Sequence, residues 1–328
     1  MNLCERRRFT YFNHIIESDI ALPELTELTG SAAQKLVPDM SFQVSADESE
    51  FLRDREWLHH WPAPDGSVSI SFARDNGTLF LHFPGLVQFT IGNNGQSVTC
   101  YPGSSLALAT IRHLLLDQVL PRLFAHYYSY IVYHASFLSV NGKGICFLAD
   151  SGWGKSTIAT GVGAAGNTIL NDDCMGITMK DQKPIGTAPY FGIRLLPDSI
   201  EHLGESLENP DSAVAEYTSK RRIRLEPAHS GGGKNLPMQA FFLLSSPEEG
   251  RECRETEVCP VGGLFAMKAL LKNTFCLDVH DPQWQKDHFR QVSTLATSGV
   301  PIYSLRYRRD YTTLPEVVKV IMHTLEQR

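Results

Sequence analysis

The chain has 328 residues, enough for about two domains or one large one. Apolar residues make up 42% of it and charged residues 20%, which is typical of a globular protein and excludes a mainly disordered chain. The 30 lysines and arginines against 36 aspartates and glutamates give a net charge of −6, so we expect no nucleic-acid partner.

The sequence favours a cytoplasmic protein without a membrane partner. It has no apolar run of roughly 18 residues, so a membrane-spanning helix is not expected. No long apolar stretch follows the basic residues near its start, and we therefore expect no signal peptide. The seven cysteines lack CxxC spacing and are typical of reduced thiols, not of a disulfide frame or a zinc site.

The first hundred residues have the pattern of β structure. Apolar and polar residues alternate from Val68 onward, and the turn sequences Asp75-Asn76-Gly77 and Asn93-Asn94-Gly95 separate the alternating runs. This pattern predicts an antiparallel meander over residues 67–101.

A helix should follow the meander. Ser104-Ser105 can cap its start, and Pro121 should end or kink it. We therefore assign residues 1–125 to an N-terminal β-rich domain that ends in a helix, and residues 126–328 to a second domain.

A glycine-rich loop lies between a predicted strand and a predicted helix. The β-rich runs Ile131–Val140 and Gly144–Leu148 are joined by a turn, and the loop at 149–157 then reads Ala-Asp-Ser-Gly-Trp-Gly-Lys-Ser-Thr. The stretch Thr157–Ala165 suits a helix, and strand, loop and helix in this order are the context of a Walker A motif. A chance glycine turn is the alternative, because Ala149 stands at the first glycine of the GxxxxGK[ST] pattern.

The residue types of this loop suit a nucleotide phosphate. Gly152 and Gly154 allow backbone conformations in which successive N–H groups point at one anion, and the helix N-terminus adds positive potential. Lys155 can reach the β- and γ-phosphates, and the Ser156 hydroxyl can ligate Mg²⁺. The candidate nucleotide-binding residues are Ser151, Gly152, Trp153, Gly154, Lys155, Ser156 and Thr157.

An apolar strand shortly after the loop ends in two adjacent carboxylates. Thr168–Asn171 precedes Asp172 and Asp173, which resembles a Walker B motif. We expect this strand to lie beside the loop strand, with its acidic end at the same sheet edge. One carboxylate could then accept a proton from an attacking hydroxyl while the other holds metal. A solvated turn is the alternative.

His134 stands in the predicted strand before the loop strand. A lone histidine among apolar residues is more often a hydrogen-bonded core residue than a functional one.

Together these residues resemble the catalytic domain of HPr kinase/phosphorylase, a bacterial serine kinase. The matching positions are His134-Ala135, Ser151–Ser156 and Asp172-Asp173, within about residues 131–180. The family's fold is related to that of phosphoenolpyruvate carboxykinase, so the resemblance implies an α/β (α+β) class with a P-loop-containing nucleotide-binding core rich in antiparallel strands. It also implies that Asp172 is the catalytic acid/base, that the loop binds phosphate and that His134 supports catalysis. Because the family forms oligomers, a homo-oligomer is a candidate assembly.

The sequence departs from that family in three places. Ala149 replaces the family's glycine, Thr157 stands where an acidic residue is common, and residues 1–125 do not look like the family's N-terminal domain. The chain is more similar to divergent HPr kinase-like proteins of bacterial gene clusters, some of which phosphorylate peptides, including lasso-peptide precursors. We therefore carry over neither the phosphorylase activity nor HPr as the substrate.

Two basic features of the C-terminal half are candidates for holding phosphate or an acidic substrate. The densest basic run contains Lys220, Arg222 and Arg224, which would share one face of a strand. Arg194 is a second candidate. A solvated basic face is the alternative.

The remaining predictions concern elements without assigned chemistry. No apolar strand leads into the glycine-rich stretch Ser230–Lys234, so we interpret it as a flexible connection and not as a second phosphate loop. The other expected elements are a buried strand at Met238–Leu244, a core helix at Leu264–Leu271, a strand over Tyr303–Arg308 and a terminal helix at Pro315–Leu325.

The leading hypothesis is an ATP- and Mg²⁺-dependent kinase that acts on a hydroxyl, preferably a serine or threonine of a peptide or protein. Lys155 would stabilise charge on the phosphoryl group, and Asp172 would accept the proton. Ser156 and Asp173 would hold the metal. Two alternatives stay open: a small-molecule hydroxyl kinase on the same core, and a nucleotide-binding sensor or assembly protein without transfer activity.

Overall fold

The computed structural model describes residues 6–31, 33–47, 49, 55–63, 65–103, 106–195, 213–215, 218–223 and 235–327. The chain divides into two compact units. The first comprises Met1–Tyr128 and Cys276–His280, and the second comprises Ser129–Phe275 and Asp281–Arg328. The predicted boundary after residue 125 falls within the last turn of a helix of the first unit. No sequence pattern indicates that residues 276–280 join that unit.

The first unit contains a mixed sheet, with nine strands in the described residues. Its strand order is β3-β1-β2-β4-β9-β8-β7-β6-β5, in which β4 pairs in parallel with β2 and β9 and the other pairs are antiparallel. The strands are β1 (Arg7–Tyr11), β2 (His14–Ser18), β3 (Thr26–Leu28), β4 (Met40–Val44), β5 (His59–Pro62), β6 (Val68–Asp75), β7 (Thr78–Phe83), β8 (Val87–Gly92) and β9 (Ser97–Pro102).

Strands β6 to β9 form the predicted antiparallel meander, which is confirmed almost to the residue. The turn between β6 and β7 has positive φ angles at Asn76 and Gly77, 46° and 79°. Asparagine and glycine tolerate this left-handed backbone better than other residues, so the turn signal in the sequence was reliable.

The helix after the meander continues through Pro121. The described part begins with α1 (Leu108–Leu114), passes through a π-helical turn at Leu115–Val119 and continues as α2 (Leu120–Tyr127). The predicted start at Ser104-Ser105 lies outside the described residues. The expectation that Pro121 could end the helix is wrong, because the wider turn before it changes the hydrogen-bond pattern and leaves the proline in the first turn of α2.

The second unit contains a mixed nine-stranded sheet and a small three-stranded sheet, as far as the described residues show. The main sheet has the order β10-β14-β15-β19-β12-β11-β13, with β21 pairing with β19 and β20. Its strands are β10 (Ile131–Tyr133), β11 (Ala135–Val140), β12 (Lys143–Leu148), β13 (Thr168–Asn171), β14 (Met175–Lys180), β15 (Lys183–Thr187), β19 (Asn235–Leu244), β20 (Glu257–Pro260) and β21 (Ile302–Arg306). The small sheet consists of β16 (Ile193–Leu195), β17 (Ala213–Ala215) and β18 (Thr218–Ile223), with β18 in the middle.

The acidic strand β13 does not lie directly beside the loop strand β12, as the sequence suggested. Strand β11 lies between them and pairs antiparallel with both. The prediction was wrong because the hairpin that precedes the loop places its first strand in the intervening position. Strands β12 and β13 nevertheless run in the same direction, so both end at the same edge of the sheet.

Helices cover both faces of the main sheet. Alternate residues of β12 point to opposite faces: Ile145 and Phe147 pack with one pair of helices, and Cys146 and Leu148 with another. The first pair is α3 (Lys155–Ala164) and α7 (Leu314–Glu326), and the second is α5 (Gly263–Lys272) and α6 (Pro282–Ala296), while α4 (Pro247–Arg251) is a short helix after β19.

Most of the expected late elements are present. Strands β19 and β21 and helix α7 match their predicted positions, and Val317, Ile321 and Leu325 of α7 are buried as expected. Helix α5 is less buried than a core helix, because Leu264 and Phe265 in its first turn are both 81% exposed. The predicted flexible connection at Ser230–Lys234 lies outside the described residues. None of the helices in the described part is long and apolar enough to cross a membrane.

Candidate active site

The loop between β12 and α3 has the backbone conformation that its glycines suggest. Gly152 and Gly154 have φ angles of 78° and 88°, in the left-handed region that favours glycine. Gly154 precedes the first residue of α3, and its carbonyl accepts the first helical hydrogen bond, from Ile158 N–H at 3.0 Å. Ala149 is buried, and its φ is not among the positive ones of the described residues, so an alanine fits where the usual pattern has glycine.

Lys155 is folded back onto this glycine loop. Its side chain is buried, and Nζ donates hydrogen bonds to the carbonyl oxygens of Ala149 and Asp150, at 2.9 and 3.2 Å. The cation is therefore held at the base of the loop, at the N-terminus of α3.

The two adjacent carboxylates are held in a buried turn at the end of β13. Asn171 Oδ1 accepts hydrogen bonds from the N–H groups of Asp173 and Cys174, both at 2.9 Å, and its Nδ2 donates to Tyr190 O at 3.1 Å. This short side chain closes a local turn over the strand end. Asp172 and Asp173 are only 2% and 5% exposed, so the solvated turn considered from the sequence is excluded.

Arg194 is the partner of both carboxylates. Its backbone N–H donates to Asp172 Oδ2 at 3.0 Å, and its guanidinium contacts both carboxylate oxygens of Asp173. The position follows from the main chain, since Gly192 N–H donates to Leu170 O and brings β16 alongside β13. The sequence predicted Arg194 as a phosphate-binding residue, and the structure places it beside the acid pair.

The two carboxylate oxygens of Asp172 differ in their contacts. Its Oδ1 is buried and has no hydrogen-bond partner within the described residues. Burial raises the pKa of Asp172 well above the usual range of an aspartate, the nearby charge of Asp173 raises it further, and Arg194 opposes these effects only in part. A carboxylate in this setting binds a proton more readily than an exposed one.

The glycine loop and the acid pair line one cavity of about 270 Å³. His134 and Arg194 are also on its wall. Most of the other site residues predicted from the sequence also line this cavity: Ser151, Gly152, Gly154, Lys155, Ser156, Thr157, Asp172 and Asp173. Trp153 is not on the wall but packs against the core on the α3 side of the sheet.

His134 does not lie within a strand, as predicted, but at a bend between β10 and β11. The backbone N–H of His134 donates to Asn273 O at 3.0 Å, and the His134 ring lies edge-on to Phe275, with 6.2 Å between the ring centroids. The bend turns the residue out of the sheet, and this explains how it lines the cavity.

The basic run is only partly described. Lys220 and Arg222 lie in β18, and the backbone of Arg222 is opposite that of Arg194 in β16. Arg224 lies outside the described residues.

Sequence reasoning missed a second wall of the cavity, which follows β21. It consists of Tyr307, Arg309, Asp310, Tyr311 and Leu314. A late strand ending near Arg308 was predicted, but no local pattern connected it with a loop about 150 residues earlier. It also missed Lys272, which pairs with Asp150 at 2.7 Å and lies over the Trp153 ring at 5.6 Å from its centroid.

Comparison with known proteins gives matches among solved structures, 71 chains in all. No protein-family model matches the sequence, and no curated protein matches it. Among these solved structures is the HPr(Ser) kinase/phosphatase from Coxiella burnetii, to which the chain is similar with 13% sequence identity and a TM-score of 0.31. The match covers 60% of this chain and 97% of that chain. HPr kinase is also the family that the sequence motifs resemble.

Proposed function

We propose that the protein is an ATP- and Mg²⁺-dependent kinase that transfers the γ-phosphoryl group to a hydroxyl. The observation that carries this proposal is the buried Asp172, whose Oδ1 has no hydrogen-bond partner in the described residues and which shares one cavity with the glycine loop and Lys155. A base and an anion-binding loop in one cavity are the parts that phosphoryl transfer requires.

The glycine loop would bind the phosphates of ATP. The left-handed conformations of Gly152 and Gly154 favour a concave backbone, and α3 directs the positive end of its dipole at the same place. Lys155 would exchange its two carbonyl contacts for the β- and γ-phosphates, where a charge-assisted hydrogen bond is stronger than a neutral one.

Asp172 would act as the general base. The acceptor oxygen forms a bond to the γ-phosphorus, the bond from that phosphorus to the β,γ-bridging oxygen breaks, and ADP leaves with the bonding electron pair. The hydroxyl proton passes to Asp172 Oδ1. The raised pKa of Asp172 favours this transfer, because a general base works best when its pKa is closer to the working pH than that of an ordinary aspartate.

The residues present fit a magnesium ion. Mg²⁺ is usually held by one or two carboxylates together with substrate phosphates, and Ser156 and Asp173 offer oxygen ligands at the cavity. Asp173 accepts from Arg194, but each carboxylate oxygen has a further lone pair. When bound, the metal would neutralise charge on the phosphates. Within the described residues, no cluster of three or more His, Cys, Asp or Glu side chains could hold a metal ion by itself. The phosphates of ATP would therefore supply further ligands.

The acceptor that we propose is a serine or threonine of a peptide or protein. The support is the serine-kinase motif pattern of the loop and the acid pair, together with the basic strand β18, which pairs with β16 beside the acid pair. A basic strand could hold an acidic peptide. A small-molecule alcohol is the alternative.

Titration calorimetry with ATP and Mg²⁺ tests the nucleotide site. Lys155→Ala should weaken ATP binding by about tenfold or more, since it removes a charge-assisted contact. Lys143 is exposed and is the first residue of β12, at the end of the strand away from the loop, so Lys143→Ala is the matched control and should bind like the wild type. Equal affinity in Lys155→Ala and the wild type would contradict the proposal.

Transfer of labelled γ-phosphate to peptides encoded beside the gene tests the acceptor. Label on a peptide that is lost when its serines and threonines become alanine supports peptide phosphorylation. Label on a metabolite alone would identify a small-molecule kinase. Binding of ATP without any transfer would favour the non-catalytic sensor.

A further inference from the structure

Three neighbouring parallel strands end at the edge of the sheet where the glycine loop begins. Strand β12 pairs in parallel with β19, and β19 pairs in parallel with β21. Parallel neighbours bring their carboxyl ends to one edge of a sheet, where α/β proteins bind their ligands. A side chain that follows β21 can therefore reach the segments that follow β12 and β19.

Arg309 makes such a connection. Its Nη1 donates to the carbonyl oxygen of Trp153 in the glycine loop, and its Nη2 donates to the carbonyl oxygen of Ser245, just after β19. Nη1 also lies 3.4 Å from Tyr307 Oη. One guanidinium thus links the ends of three strands, which local sequence patterns could not reveal.

The contact with Trp153 determines the direction of the next amide in the loop. The peptide between Trp153 and Gly154 is trans, since no cis peptide occurs in the described residues. In a trans peptide the carbonyl and the N–H point in opposite directions. Arg309 therefore fixes the orientation of the Gly154 N–H, and Gly154 is on the wall of the cavity.

Arg309 forms no salt bridge with a carboxylate in the described residues, although its charge helps to lower the pKa of the exposed Glu248. Its three hydrogen-bond partners are two carbonyls and a tyrosine hydroxyl, and its buried Nε has no partner among those residues. Burial raises the pKa of Tyr307, so this hydroxyl stays neutral. The positive potential of Arg309 therefore adds to that of Lys155 at the cavity.

We infer that Arg309 is a positioning residue of the nucleotide site: it orients the Trp153–Gly154 peptide for phosphate binding and supplies a second positive charge beside Lys155. This inference rests on the proposed function, because it assigns the residue to the binding of the ATP phosphates. It is independent of the acceptor.

Three variants in the full-length protein test the inference by calorimetry with ATP and Mg²⁺. Arg309→Gln keeps much of the length but removes the charge, and should raise the Kd for ATP by about tenfold or more. Arg309→Lys keeps the charge but cannot donate to both carbonyls in the same way, and should raise it less. The adjacent Arg308 is exposed, so Arg308→Gln is the matched control and should bind like the wild type.

The outcomes separate the inference from the proposed function. If Arg309→Gln binds ATP as well as the wild type while Lys155→Ala does not, the inference is overturned and the nucleotide site stands. Equal losses in Arg309→Lys and Arg309→Gln would overturn the role of the charge, and an unchanged affinity in Arg309→Lys would overturn the orienting role. If the wild type does not bind ATP, both fail. Thermal unfolding without nucleotide checks each variant, and Arg309→Lys carries the test if Arg309→Gln does not fold.

Discussion

Asp172 combines features that a general base needs and that an aspartate with a purely structural role does not need. It is buried, one oxygen accepts a backbone N–H, and the other has no hydrogen-bond partner among the described residues. Leaving a buried acceptor unsatisfied costs stability, about 1–3 kcal/mol for a typical group. A costly arrangement beside the glycine loop is expected where function maintains it.

Asp172→Asn should therefore abolish most of the transfer without removing the nucleotide. The amide has nearly the same shape but cannot accept the proton, so the transfer rate should fall by about 10²-fold or more while ATP affinity stays near that of the wild type. Asp181→Asn, in an exposed turn between β14 and β15, is the matched control. A wild-type rate in Asp172→Asn would place the base elsewhere.

The same substitution should stabilise the protein without ligands at neutral pH. Burial raises the pKa of Asp172 in the folded state above its unfolded-state value. The folded state thus binds this proton more tightly, and the resulting stabilisation is complete below the unfolded-state pKa and is lost as the pH rises through the folded-state pKa. Asp172→Asn removes the charge that burial disfavours, so its advantage over the wild type should be largest at neutral pH and shrink in acid.

Thermal unfolding of both proteins from about pH 4 to pH 8 measures this advantage, since the range begins near the ordinary pKa of an aspartate. Asp181→Asn should show no such pH-dependent gain. A Tm of Asp172→Asn equal to or below that of the wild type at neutral pH would mean that Arg194 compensates the charge fully.

At the scale of elements, helix α3 has a glycine with positive φ at each end. Gly154 precedes its first residue, and Gly166 follows its last turn with φ of 90°. A Cβ at Gly166 would meet nothing within 4 Å, whereas a Cβ at Gly154 would lie 3.0 Å from Tyr307 Oη and 3.2 Å from Arg309 Nη1. At both positions the positive φ would strain any residue other than glycine. The groups that lie beside the two positions differ.

Gly154→Ala and Gly166→Ala should therefore have similar effects on stability and different effects on the site. Each places alanine in the left-handed region, at a cost of about 1–2 kcal/mol. Only Gly154→Ala should displace Arg309 and weaken ATP binding, by about tenfold or more. Urea unfolding and calorimetry on both variants measure this, and equal ATP affinities would show that the contact of Gly154 with the second wall is unimportant.

Elements that depend on neighbouring residues in the chain could be predicted from the sequence. The strand, loop and helix from Lys143 to Ala164 were found because glycines, apolar residues and a lysine follow one another there. The neighbours of β13 could not be predicted in this way, because no local pattern indicates that β11 lies between β12 and β13. Arg309 was missed for the same reason, since only the parallel pairing of β12, β19 and β21 brings it to the loop.

At the scale of the whole molecule, a short segment from late in the chain completes the first unit. Residues Cys276–His280 interrupt the second unit and belong to the first. Within this segment Asp278 is buried, and its carboxylate accepts from Arg74 Nη1 of β6 at 2.9 Å and from the His280 N–H at 2.8 Å. The N-terminal unit is therefore incomplete in a chain that ends at Tyr128.

Asp278 should contribute more to the first unit than its partner Arg74 does. Asp278→Ala removes a buried carboxylate that accepts two hydrogen bonds, which should cost about 1–3 kcal/mol, whereas the Arg74 side chain is 47% exposed, so Arg74→Ala should cost about 0–1 kcal/mol. Amide hydrogen exchange in β6 of the full-length protein measures both, because local opening of this strand follows the loss of the segment that holds it. If Asp278→Ala exchanges no faster than Arg74→Ala, the Asp278 carboxylate does not stabilise β6.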